Sequence, residues 1–414
     1  MSRSAAARRP TKAVRVAAPL AAAALVVSAG AGFAAGFSSG ESSPEPTVGR
    51  GAFVSWVEGS VDRGVEQVTA AMAKHQLRSR GESVLGASAS LTGVPFRSLH
   101  LTLAKSAEPT AAEARKGVFR AQAIVEYRLR VDDVRVGRRA DAVFRLKDGQ
   151  WRLVRVAPSG LDLWDHEPVQ SVRNGRVLVI GPSGDPRIDA LGATAESARA
   201  DVAAFWDAKW PETAVVVLPS SSRLLNPLLG VNSGSDQVAV TRWESGQDGP
   251  IVRVLVNPTY YDRMPPLARE IVLRHEITHV AQDALPQGGT PSWLSEGLAE
   301  YVGYRGSGVP FSYIGTRLFE QVRAGEVPEQ LPADSDFDFA RTQEERRVAY
   351  ESGWSFCQMI ADRYGEQKLV PFYVAVAKGD GSEQDRLNDA AEKTVGASFD
   401  ELVDQWRSWL DANA

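Results

Sequence analysis

Cysteine is nearly absent from this chain: of 414 residues only Cys357 carries a thiol. A single thiol excludes an intramolecular disulfide framework and a structural zinc site built from cysteines. Histidine is scarce as well, with five in the whole chain, so an imidazole site has few candidates. Positive charge is not in excess. The formal net charge of -4 excludes a broad electrostatic pull on nucleic acid, and no nucleic-acid partner is expected. No internal repeat is visible, which excludes a solenoid or propeller. What remains is 43 % hydrophobic with ten tryptophans. That is enough apolar area for a real core, divided over two or three domains at roughly 100–200 residues each.

Charge is unevenly spread at the start. Arg3, Arg8, Arg9, Lys12 and Arg15 come with no acidic residue among them, and an uncharged run from Val16 to Phe37 follows. A basic stretch before an apolar one reads as an export signal over residues 1–37. Two outcomes fit. Cleavage at Ala29-Gly30-Ala31 releases a secreted protein, or the uncleaved run spans the bilayer as a signal anchor, at about 20 residues per span. Either way the bulk of the chain is expected outside the cytoplasm, secreted or attached to the membrane through an N-terminal helix. Residues 38–50, rich in Ser, Pro, Gly and Glu, read as a flexible linker.

From Gly51 apolar residues recur at helical intervals: Phe53, Val54, Val57, Val61, Val65, Val68 and Met72. Strand-like alternation comes next, with Ala121, Ala123, Val125, Tyr127, Leu129 and Val131 on one face. The segments Ala142–Leu146 and Trp151–Val156 flank Lys147-Asp148-Gly149-Gln150, a hairpin signal. Residues 159–175 read as a connector. A second pattern begins at Arg176, with strands at Val177–Ile180, Ala214–Leu218, Gln237–Thr241 and Ile251–Val256, and a helix from Arg187 to Lys209. After Asn257 the character is helical almost to the end. Sheet first and helices after is the α+β class.

The chemistry concentrates in His275-Glu276-Ile277-Thr278-His279. Pro265 and Pro266 can open a helix there and Pro286 closes it. Residues four apart share a helix face, so His275 and His279 can hold one zinc ion. Glu276 beside them is placed to take a proton from the attacking water. Downstream, Thr290 and Pro291 are expected to start a second helix, with Thr290 as its cap. That helix carries Glu296 and Glu300 on one face. Two histidines and one glutamate leave a coordination position open, as catalytic rather than structural zinc sites do. Glu300 is then placed to orient a zinc-bound imidazole from behind. An oxyanion needs a further donor. No histidine follows His279, so a tyrosine is the natural candidate. Tyr350, expected to open the helical stretch Tyr350–Phe356, is chosen for that part, the alternative being a packed aromatic with its hydroxyl at the surface.

Residues 251–305 resemble the gluzincins, the thermolysin-like and aminopeptidase-like zinc peptidases. The resemblance lies in His-Glu-Ile-Thr-His (275–279) followed, after sixteen residues, by Glu296 within Trp293-Leu294-Ser295-Glu296-Gly297-Leu298-Ala299-Glu300-Tyr301. It extends more weakly over residues 176–412 and implies a sheet followed by a zinc helix, then a glutamate helix, acting on a peptide or protein substrate. A Gly-x-Met-Glu-Asn exopeptidase motif is missing, so endopeptidase action is expected. Residues 51–158, ending in Phe144-Arg145-Leu146-Lys147-Asp148-Gly149-Gln150-Trp151-Arg152-Leu153-Val154, resemble the NTF2-like (cystatin-like) cone domains. That resemblance implies a helix on a curved antiparallel sheet and gives no partner. The competing reading of the whole is a secreted or anchored binding scaffold whose zinc-loaded domain is inactive or narrowly specific.

Overall fold

The structure, a computed structural model, describes residues 14–16, 91–103, 110–147, 150–157, 160–211, 213–230, 237–245, 250–285, 290–338 and 341–414. The expected N-terminal helix from Phe53 to Met72 and the apolar run 17–37 lie outside these. No described helix is long and apolar enough to cross a membrane.

Two sheets form the frame. The strands are β1 (Val14–Val16), β2 (Phe96–Leu103), β3 (Val118–Leu129), β4 (Val136–Lys147), β5 (Gln150–Ala157), β6 (Val169–Asn174), β7 (Val177–Pro182), β8 (Ala214–Val217), β9 (Ala239–Ser245) and β10 (Pro250–Val256). β2-β3-β4-β5 make a four-stranded antiparallel meander. Its last two strands are the expected hairpin, with Lys147 opposite Gln150. The larger sheet runs β1-β9-β10-β8-β7-β6. β7, β8 and β10 are parallel neighbours, while β6, β9 and β1 pair antiparallel.

Strands β7 and β8 are apolar along their length, and β10 is apolar except at Arg253, because both faces of this sheet are covered. Val177, Val179, Ala214, Val216, Val254 and Val256 face the helices. Leu178, Ile180, Val215, Val217, Val240 and Leu255 face the opposite way and share a core with Phe119, Tyr127, Phe144 and Trp164 of the N-terminal part. The meander is therefore packed onto the back of the larger sheet.

The helices follow in order. α1 (Ala111–Lys116) lies between β2 and β3, and α2 (Arg187–Phe205) is the crossover between β7 and β8. Two short helices come next, α3 (Leu225–Leu229) and α4 (Pro258–Tyr261). After them come α5 (Pro266–Gln282), α6 (Ser292–Tyr304), α7 (Phe311–Ile314), α8 (Thr316–Arg323), α9 (Gln343–Tyr364), α10 (Leu369–Lys378), α11 (Glu383–Val395) and α12 (Phe399–Asn413). α12 starts at a capping box between Ser398 and Glu401 and docks on α9, where Trp406 Nε1 donates to Ser355 Oγ at 2.8 Å.

Several local expectations shift. Val169–Asn174, expected in the connector, is an edge strand. Only Val169 of its six residues is buried, so it carries no apolar alternation to read. β2 was not expected either, because an irregularity between Phe96 and Ser98 breaks its period. α6 is capped by Pro291 rather than Thr290. Pro291 is in extended backbone, and the helix begins one residue later than expected. Tyr350 does not open its helix: α9 starts seven residues earlier, at a capping box between Thr342 and Glu345.

Candidate metal centre

α5 enters at Pro266, whose missing N–H costs nothing in a first turn. Its last three turns are almost wholly buried, from Ile271 to Gln282. Polar groups in such a segment need partners, and His275, Glu276 and His279 are all sealed from solvent. α6 packs alongside. It brings Glu296 in because its backbone closely approaches that of α9. A Cβ on Gly297 would stand 2.3 Å from the Gly353 backbone, and one on Gly353 would stand 2.3 Å from the Trp293 carbonyl oxygen. The two glycines let the helices cross where side chains would hold them apart, one residue from Glu296 and three from Tyr350.

Three donor atoms converge. His275 Nε2 lies 3.1 Å from His279 Nε2 and 3.3 Å from Glu296 Oε2, and His279 Nε2 lies 3.1 Å from Glu296 Oε2. They are the group among the described residues with metal-binding spacing. Four ligands around zinc at 2.0–2.1 Å stand about 3.3 Å apart in a tetrahedron, so the triangle has the size of one tetrahedral face.

The far nitrogens say which way the lone pairs point. His279 Nδ1 is 2.7 Å from Gln282 Oε1. Gln282 is itself fixed: its Nε2 donates to the Ser295 carbonyl at 2.9 Å, and its Oε1 accepts from Ser295 Oγ at 2.9 Å. An amide oxygen only accepts, so Nδ1 carries the proton and Nε2 offers its lone pair to the centre. His275 Nδ1 faces Glu300 Oε1 at 3.7 Å. Gln282, not found from the sequence, thus fixes the His279 tautomer by a hydrogen bond, whereas Glu300 faces His275 as a charge at 3.7 Å, beyond hydrogen-bond distance. Its signal was available: it stands three residues after His279, on the same helix face.

Charge is poised around the triangle. Burial works against a charge on His275, yet the Glu296 hydrogen bond and then the Glu300 charge outweigh it and push the ring up to about 9. Burial works to raise Glu296 too, and the His279 charge with both histidine hydrogen bonds brings it down to about 2. Glu300 is pushed up to about 7, first by burial and then by Glu296, with the His275 charge opposing. Glu276 is raised by burial. Its Oε2 accepts from Thr241 Oγ1, while its Oε1 makes no hydrogen bond among the described residues. Tyr350 is buried against Phe337, ring centroids 5.1 Å apart. Burial, then the charges of Glu296, Glu300 and Glu276, raises its hydroxyl well above the ordinary value. It therefore stays a proton donor.

His166 and Cys357 have structural places. His166 Nε2 is 2.6 Å from the Gly160 carbonyl oxygen. Cys357 is buried within α9.

No protein-family model matches the chain, and no curated protein does. Among solved structures, an M1 zinc metallopeptidase from Deinococcus radiodurans is similar at 17 % identity and a TM-score of 0.34, over 66 % of this chain and 59 % of that one. Native yeast LTA4 hydrolase is similar at 14 % identity and a TM-score of 0.37, over 58 % of this chain and 38 % of that one. The chain thus matches well under two thirds of the length of either protein, and likeness at this level does not extend to activity or substrate.

Proposed function

We propose that the chain is a zinc-dependent peptide-bond hydrolase, acting as an endopeptidase outside the cytoplasm. The observation that carries this is the triangle of His275, His279 and Glu296, sized for zinc, with a carboxylate oxygen of Glu276 beside it that makes no hydrogen bond among the described residues. Zinc, when bound, acidifies water and polarises a carbonyl. The chain's own residues do the rest. Glu276 is a buried carboxyl whose burial raises it above its ordinary value. It takes the proton of the attacking water through Oε1 and hands it to the leaving amine. Tyr350 donates a hydrogen bond from its hydroxyl, keeping the proton, to the oxygen on which negative charge develops. Gln282 holds the His279 imidazole in the tautomer that binds metal, and the Glu300 carboxyl faces the outer nitrogen of His275 at 3.7 Å. The location outside the cytoplasm rests on the basic and apolar character of residues 1–37, and the cone-domain reading of residues 51–158 is part of the same proposal.

The test is metal analysis together with a peptide-library digest of wild type and Glu276→Gln. About one zinc per chain is expected in both, with hydrolysis reduced on the order of 10²–10⁴-fold in the variant. Undiminished cleavage by the zinc-loaded variant would sink the mechanism. A zinc-loaded wild type that cleaves nothing in the library would favour the scaffold reading.

A further inference from the structure

The hydrolase reading leaves one neighbour of Glu276 without a part. Thr241 is completely buried in the middle of β9. Its hydroxyl meets Glu276 Oε2 and also lies 3.1 Å from the Glu276 carbonyl oxygen. A threonine hydroxyl carries a single proton, and a carboxylate is the stronger acceptor of the two. Oε2 is thus tied to the sheet, and Oε1 is the oxygen that makes no hydrogen bond among the described residues. Without such a tie, a glutamate side chain has staggered alternatives at each torsion. One kind would turn the carboxylate toward the imidazoles as an extra ligand, and another would swing it away from the reacting water. The tie selects between them.

The strand that carries Thr241 is itself held from behind. Successive residues of a strand point to opposite faces. Thr241 faces the helices, and Arg242 faces the N-terminal part. Arg242 donates to the carbonyl oxygens of Leu161 and Leu228 and stands 3.7 Å from Asp162 Oδ1. In front, Thr241 stands opposite Val254 of β10 in the ladder. The hydroxyl is therefore fixed in place by backbone register on one side and by a buried guanidinium on the next residue.

We propose that Thr241 is a positioning residue for catalysis, fixing the Glu276 carboxylate through Oε2 so that Oε1 meets the attacking water. The catalytic meaning rests on the hydrolase reading; the tie between the two side chains does not. A merely structural threonine would, on removal, lower stability and leave turnover per folded, zinc-loaded molecule unchanged.

The experiment compares full-length, zinc-loaded wild type, Thr241→Val and Thr241→Ser on one fluorogenic peptide, with crystal structures of wild type and Thr241→Val. Valine keeps the shape and removes the hydroxyl; serine keeps the hydroxyl. Thr241→Val is expected to bind zinc as wild type does and to lose kcat by about 10–100-fold with KM within about twofold, since the tie acts on the chemical step. Thr241→Ser should recover kcat to within about threefold of wild type, and Glu276 should change rotamer in the Thr241→Val crystal. Thr241→Ala serves with the same readouts where the valine variant does not fold. Wild-type kcat in a variant lacking the hydroxyl, equal losses in the valine and serine variants, or an unmoved Glu276 in the variant crystal would each overturn the proposal. A zinc-loaded wild type with no turnover removes the hydrolase reading alone, and the position of Glu276 in the two crystals then decides.

Discussion

At the residue scale, the centre is a set of histidines whose outer nitrogens are treated differently. His279 has a neutral amide partner at 2.7 Å, and His275 has a carboxylate at 3.7 Å. Because Gln282 is locked by two bonds to Ser295, it cannot turn its amide to offer a donor without breaking both. Replacing Gln282 by alanine should therefore free the His279 tautomer and weaken zinc binding by about 10–100-fold, as loss of an outer-shell partner does. A chelator competition titration reads this directly, and unchanged affinity would show that α5 alone orients the ring. Tyr350 makes a separate demand. Its hydroxyl stays protonated through burial and surrounding carboxylates, so Tyr350→Phe should lower kcat by about 10²–10³-fold and leave KM and zinc content near wild type, if it is the donor to the developing oxyanion. A loss confined to KM would remove it from that part. His275 and His279 were legible in the sequence because helical spacing converts directly into a shared face, Glu276 because it stands beside His275, and Glu296 through the second helix and the resemblance of residues 251–305 to the gluzincins. Thr241 was not: its contact with Glu276 joins a strand to a helix 35 residues away, and spacing carries no information on how those two elements pack.

At the scale of elements, two kinds of segment were readable and one was not. The core strands β7, β8 and β10 showed as apolar runs because both of their faces are covered. The helical character after Asn257 showed as a whole, but individual starts did not: α6 is capped by Pro291 rather than Thr290, and α9 is capped at Thr342 rather than opening near Tyr350. Edge strand β6 and the interrupted β2 did not, since one buries little and the other loses its period. The crossing of α6 on α9 was equally silent, because close packing appears in sequence only as two glycines that have no φ requirement of their own. That crossing is testable. A methyl group at Gly353 meets the Trp293 carbonyl oxygen at 2.3 Å, too near for any side-chain rearrangement to relieve, so α6 and α9 must separate. Gly353→Ala should destabilise by about 1–3 kcal/mol or more. Thermal unfolding would show this as a drop of about 2–4 °C per kcal/mol. Because α6 carries Glu296, zinc affinity should fall in parallel. A variant with wild-type Tm would mean that the helices adjust freely at their closest point.

At the scale of the whole molecule, the N-terminal meander and the larger sheet meet through charges as well as a shared apolar core. Arg242 of β9 and Arg253 of β10 stand directly opposite each other in the ladder, an arrangement that repels. Each is answered from the N-terminal side. Arg253 pairs with Asp132 at 2.6 Å, and Arg242 lies 3.7 Å from Asp162, which also binds Arg138 at 2.9 Å and accepts from the Tyr127 hydroxyl at 2.8 Å. All five of these arginine and aspartate side chains, Arg138, Arg242, Arg253, Asp132 and Asp162, are nearly sealed from solvent. Removing one partner of a buried pair leaves an uncompensated charge, at a cost of about 3–5 kcal/mol. Asp162→Asn should therefore lower stability at neutral pH by an amount of that order. The pH dependence separates this from a packing defect. Burial tends to raise the Asp162 carboxyl, but Arg138, then Arg242 and Tyr127, hold it below the ordinary value of 3.8. A carboxyl lowered on folding contributes stability that is complete above its unfolded value and disappears as pH falls through its folded value. Between neutral pH and strongly acidic pH, wild type should lose this contribution, while Asp162→Asn, having none, should show the shallower decline. Urea unfolding midpoints for the two proteins would then converge as the solution is acidified below about pH 4. A constant gap across the whole range would show that Asp162 acts through shape rather than charge.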